Sequence, residues 1–161
     1  MSDHEKAILK LLQSDARLSL EAISERLMID IKEVAATIDR WEQDGTILGY
    51  RAVVRDGALQ KVRAMIEVSV EPERDSGFDR VAIQISRFPQ VTDLMLVSGN
   101  YDLLLFVIGE DLQSVPDFVA SKLSPMRGVR STRSHFMLKK YKEAGFQLEE
   151  DEKHERLSVT P

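Results

Sequence analysis

The sequence predicts an α+β chain in two parts, an N-terminal winged helix-turn-helix followed by a ferredoxin-like βαββαβ domain. Three observations carry that prediction. Apolar residues recur at helical spacing in three stretches before Gly45. From Ala64 onward, strand-like alternation and helical spacing succeed one another in the order β-α-β-β-α-β. Between two apolar β-type runs at 91–97 and 103–108 stands the polar stretch Ser98-Gly99-Asn100-Tyr101-Asp102. There Gly99 and Asn100 tolerate the positive φ angles of a hairpin, and Asp102 sets a carboxylate beside the turn.

The first helix is expected over residues 3–13, with Ala7, Ile8, Leu11 and Leu12 on one stripe. Ser19 is the expected N-cap of a second, whose apolar face is Leu20, Ile23 and Leu27, with Glu21 suiting its positive end. Asp30 opens a third, and Glu33 three residues on completes the pattern of a capping box. Ile31, Val34, Ile38 and Trp41 form its buried stripe, and Gly45 closes it. Residues 47–54 read as a strand, the start of a wing. A short helix, a tight turn and a longer helix are the arrangement whose last helix enters a DNA major groove. The same arrangement also occurs in small bundles that bind nothing. The outward face of the third helix offers Lys32, Thr37 and Arg40 as groove or phosphate contacts. From Asp30 to Asp44, however, five acids face these two bases. Met28 occupies the turn, where a positive φ would cost about 1 kcal/mol.

In the second part, Ala64, Ile66, Val68 and Val70 alternate with polar or exposed positions, as in a strand with one buried face. Residues 72–77 are rich in turn formers. Phe78, Val81, Ala82, Ile85 and Phe88 mark a helix ended by Pro89. After the hairpin, Leu112, Val115, Phe118, Val119 and Leu123 mark another, with Pro116 tolerated in its first turn. A last strand is expected over 129–141. The continuous apolar run of residues 103–108 implies a strand covered on both faces, and a second copy of the same sheet is the expected cover.

Composition bounds the function. The 161 residues carry 30% charged and 43% hydrophobic side chains, the balance of a globular chain. The absence of cysteine excludes disulfides, thiolate zinc sites and a cysteine nucleophile. No apolar run approaches a membrane span and the N-terminus lacks a signal-type core, so a cytoplasmic location is expected. The net charge of −5 does not favour nucleic acid, but it is unevenly spread. Six bases stand between Arg127 and Lys142 with no acid, whereas residues 143–161 hold six acids and two bases. That last segment reads as a solvated acidic extension. His4, His135 and His154 lack metal-ligand spacing, and no phosphate loop, nucleophile elbow or carboxylate pair appears, so neither metal, cofactor nor enzymatic activity is expected.

The chain resembles the Lrp/AsnC (feast/famine) transcriptional regulators over about residues 3–142. The resemblance rests on the helix-turn-helix, on Asp44-Gly45-Thr46-Ile47-Leu48-Gly49-Tyr50, on Ser98-Gly99-Asn100-Tyr101-Asp102, and on Gly128-Val129-Arg130-Ser131-Thr132-Arg133. It implies a DNA-binding domain over 1–55, an effector-binding and dimerisation domain over 62–142, and a linker near 53–61. It also implies double-stranded DNA as a partner, a homodimer that assembles further, and an amino acid or related metabolite as effector. Carried over by position, Gly99 and Asp102 match the family's effector-responsive turn, with Ser98, Asn100 and Tyr101 beside them. Asp102 would pair with a ligand ammonium, while amides around Gly99 would hold its carboxylate. Asp102 would equally serve as a cap of the hairpin, and Gly99 as its hinge. Two further readings stand beside this one: an oligomer that binds small molecules and has lost DNA binding, and a haem-precursor decarboxylase of the same fold using Arg130, Arg133 and His135.

Overall fold

Residues 1–55, 61–71 and 77–148 are described by the structure, a computed structural model. The backbone divides into two compact units, Met1–Val53 and Val54–Pro161. The proposed linker, the turn at 72–77 and the acidic extension fall wholly or partly outside the described residues.

In the first unit, local side-chain chemistry sets the helix starts. Helix α1 (Asp3–Ser14) begins with a reciprocal box, in which the Glu5 amide donates to Ser2 Oγ (3.2 Å) and the Ser2 amide donates to Glu5 Oε2 (2.6 Å). Ser19 caps α2 (Leu20–Leu27) through the Ala22 amide, and Asp30 caps α3 (Ile31–Asp44) through the Lys32 amide at 2.7 Å. The expected return bond from Glu33 is replaced by an approach to His4 Nδ1 of α1 at 3.6 Å. Gly45 ends α3 in the left-handed region, φ +79°, as anticipated. Ile8, Leu12, Ile23, Ile29, Val34 and Trp41 form the core between the three helices.

Two expectations for this unit are corrected. Residues 48–55 form no strand. A strand is stabilised by a ladder, and among the described residues none pairs with this segment. It is tied back to α3 instead, by Tyr50 Oη donating to Glu42 Oε1 at 2.8 Å. Partial burial and the Glu42 carboxylate raise the Tyr50 pKa. Thr37 faces the core at 8% exposure, because Val34, Thr37 and Trp41 share the inward side of α3. It is therefore not available as a groove contact.

The turn between α2 and α3 holds Met28 in the left-handed region, φ 54° and ψ 44°, with its side chain 93% exposed. Replacing Met28 by Gly relieves about 1–2 kcal/mol of steric cost and returns part of it as unfolded-state entropy. Met28→Gly is expected to raise stability by about 0.5–1 kcal/mol in a urea melt.

The second unit is a four-stranded antiparallel sheet in the order β2-β3-β1-β4, with β1 (Val62–Val70), β2 (Val91–Leu96), β3 (Leu103–Gly109) and β4 (Val129–Phe136). Helices α4 (Asp79–Ser86) and α5 (Ser114–Phe118) cover one face, the latter continuing as a single π-turn, Val119–Leu123. Asp111 and Ser114 cap each other at the start of α5, the Ser114 amide donating to Asp111 Oδ1 at 2.8 Å. The core is Ala64, Ile66, Val68, Leu105 and Val107 from the sheet against Val81, Ile85, Val115, Phe118 and Leu123.

Strand β4 stops at Phe136, short of the expected 141. Its partner β1 has reached Ala64 there, and the Met137 amide closes the ladder on Arg63 O at 3.0 Å. The chain turns instead into a two-stranded hairpin, β5 (Lys142–Glu143) and β6 (Phe146–Gln147), with Ala144 and Gly145 at positive φ. Buried Leu148 follows, its amide donating to Tyr141 O at 3.0 Å.

Candidate nucleic-acid and effector sites

The outward side of α3 is narrower than its sequence suggests. Arg40 is ion-paired with Glu5 of α1, and Glu33 faces His4, so the α1-facing edge is closed by side chains of this same unit. The Ser2 amide, and then the Arg40 guanidinium, hold the Glu5 carboxyl below its usual pKa. Lys32 is exposed at the first turn and forms no ion pair among the described residues. Ile31 and Ala36 are exposed beside it. Of the three residues put forward for DNA, Lys32 is open to solvent, Arg40 is exposed but engaged, and Thr37 is buried.

In the second unit the β2–β3 connection, residues 97–102, is longer than a two-residue turn. The Val97 amide donates to Asp102 O (2.9 Å), and the Asp102 amide donates to Val68 O of β1 (3.1 Å). The Val70 amide donates to Asp102 Oδ2 at 2.8 Å. Asp102 thus pins the hairpin to the end of the central strand. Gly99 takes φ +147°, whereas Asn100 does not enter the positive region. Ser98, Gly99 and Asn100 are exposed, while Tyr101 and Asp102 are half-buried. A Cβ built on Gly99 would meet nothing within 4 Å, so its conformation, not crowding, requires glycine. The five residues are brought together on one loop, with three of them facing solvent.

The sheet face away from the helices is largely apolar at its centre. Leu104, Phe106 and Ile108 alternate with buried Leu103, Leu105 and Val107 and stay half-exposed. Met65 lies opposite Phe106, and Met95 opposite Leu104. Among the described residues of this unit, the second face of β3 is therefore left partly open. At the β4 side of this face Glu67 accepts from or pairs with His135 Nε2 at 3.0 Å and lies 3.5 Å from Arg133. Sequence spacing did not bring Glu67 to this corner. Only the register that sets Glu67 against Arg133 does.

Comparison with known proteins accounts for both units. Residues 1–47 match a winged helix-turn-helix DNA-binding model, and residues 63–145 match the Lrp/AsnC ligand binding domain. The chain is 39% identical to the HTH-type transcriptional regulator YugG of Bacillus subtilis, across 100% of this chain and 99% of that one. It is 30% identical to the leucine-responsive regulatory protein of Rhizobium meliloti, across 85% of this chain and 88% of that one. A Neisseria meningitidis transcriptional regulator solved as an L-Met complex superposes with a TM-score of 0.70 at 25% identity, covering 89% of this chain and 93% of the other. No helix among the described residues is long and apolar enough to cross a membrane. The chain belongs to the Lrp/AsnC family, as a helix-turn-helix transcriptional regulator that carries a ligand-binding domain.

Proposed function

We propose that this protein is a cytoplasmic, sequence-specific regulator whose assembly and DNA affinity respond to an amino acid or a closely related metabolite. It acts as a binder and not as an enzyme. Two copies pair through the sheet faces that carry Leu104, Phe106 and Ile108, and pairs assemble further. The observation that carries this reading is that uncovered apolar face on a domain whose other face is fully packed. The loop of Ser98, Gly99, Asn100, Tyr101 and Asp102 is assigned to the effector. The backbone amides of its exposed residues Ser98, Gly99 and Asn100 suit a carboxylate, and the L-Met complex of the Neisseria relative supports an amino acid as the class.

The mechanism is a population shift. A ligand that binds one assembly geometry better than another changes the spacing of the helix-turn-helix units, and a ligand indifferent to geometry changes nothing. A second reading, an oligomer that senses without reading DNA, is favoured by the acidic α3 and by the engagement of Arg40 with Glu5.

A thermal-shift screen of the standard amino acids tests the sensing claim. One of them, at about 100 times its dissociation constant, is expected to stabilise by about 2.7 kcal/mol and raise the melting temperature by several degrees. A screen in which none moves the transition contradicts it.

A further inference from the structure

The recognition helix is poorly equipped for reading DNA through charge. Between Asp30 and Asp44 it has two cations against five acids, and Arg40 is committed to Glu5. Its N-terminal end exposes apolar side chains beside the charged Lys32 and Glu33. Met28 stands 93% exposed in the turn, Ile31 is 37% exposed at the first helical position, and Ala36 is exposed five residues on, so that Ile31 and Ala36 flank Lys32 round the helix. Met28 is held there in a left-handed conformation that glycine would adopt without strain, and its side chain contributes nothing to the core. A strained residue whose side chain packs against nothing in its own unit is a candidate for a contact made elsewhere.

In helix-turn-helix docking, the N-terminal residues of the second helix face base edges in the major groove. There the thymine C5-methyl is the apolar mark on an otherwise polar edge. We infer that Met28, Ile31 and Ala36 read thymine methyl groups, so that specificity rests on apolar contacts with Lys32 supplying a phosphate anchor. The inference rests on the DNA-binding reading above and specifies how that reading is carried out. It names Met28 as a specificity-determining residue outside α3 itself.

The test uses the full-length protein and a duplex selected from a random library for tight binding. A matched duplex carries deoxyuridine for thymidine and so lacks only the methyl groups. Wild-type protein is expected to bind the uracil duplex about fourfold more weakly per contacted methyl, and about fifteenfold when both half-sites of a symmetric operator lose one each. Met28→Gly, expected to be more stable than wild type, should bind the thymine duplex more weakly and lose most of that discrimination. Lys32→Ala should weaken both duplexes alike and keep it. Equal binding of the two duplexes by wild type, or undiminished discrimination in Met28→Gly, overturns the inference while DNA binding stands. Failure to select any duplex at low salt overturns the DNA-binding reading itself, and this inference with it.

Discussion

Phe106→Arg is expected to turn the proposed dimer into monomers without unfolding the chain. Phe106 sits mid-strand on the uncovered face, opposite Met65 and flanked by Leu104 and Ile108, while its neighbours Leu105 and Val107 point into the core. The substitution therefore leaves the helix-covered side of the sheet untouched. A two-fold seam contains each position twice, so every loss counts double. Removing a buried Phe forfeits about 1.5–3 kcal/mol per copy, and burying an unpaired guanidinium costs several more. Sedimentation at micromolar concentration should give a species near the 18.3 kDa of one chain, against twice that or more for wild type, with far-ultraviolet dichroism unchanged. A variant that stays assembled places the seam elsewhere.

Gly128→Val is the change expected to damage the second unit most. Gly128 lies at φ +93°, and a Cβ built on it would approach Val81 Cγ2 of α4 to 2.9 Å. Its carbonyl also accepts the Glu71 amide at 2.9 Å, just beyond the end of β1, so the backbone is held in place. Val adds about 1–2 kcal/mol of left-handed strain and about 1–3 kcal/mol of overpacking. Against a typical domain stability of about 5–15 kcal/mol, that is a large fraction. The melting temperature of this unit should fall by about 10 °C or more, and Gly128→Ala should fall between the two. A loss under about 2 °C would show that α4 shifts aside at little cost.

Much of the fold was legible because its signals are local. Ser19, Asp30 and Gly45 act within two or three residues of themselves, so their roles can be read from adjacent sequence. The alternation in β1 and the helical stripes of α4 and α5 depend only on which face meets the core. The failures share a different cause. The wing strand and the far end of β4 depend on a partner strand, which no local pattern reports. Thr37 replaced Ile31 on the buried side of α3 because a three-helix core decides which arc of the helix is covered, and Thr carries a methyl that suits it.

The candidate sites divide the same way. The 98–102 loop announced itself through Gly99, but the grip of Asp102 on Val70 follows from β1 lying beside β3, which is a matter of strand order. Arg40 meets Glu5 across 35 positions and His135 meets Glu67 across 68, separations that only tertiary packing closes. Arg133 joins His135 at Glu67, so two of the three residues of the decarboxylase reading converge on one carboxylate at the edge of the exposed sheet face.

In the proposed mechanism, metabolite occupancy of the second unit is felt by the helix-turn-helix unit. Fluorescence anisotropy of the full-length protein on DNA from upstream of its own gene, at low salt and with and without the amino acid found by thermal shift, reads that coupling directly. The midpoint is expected to move by about fivefold or more. A complex whose midpoint ignores the ligand, or no complex in either condition, would contradict it.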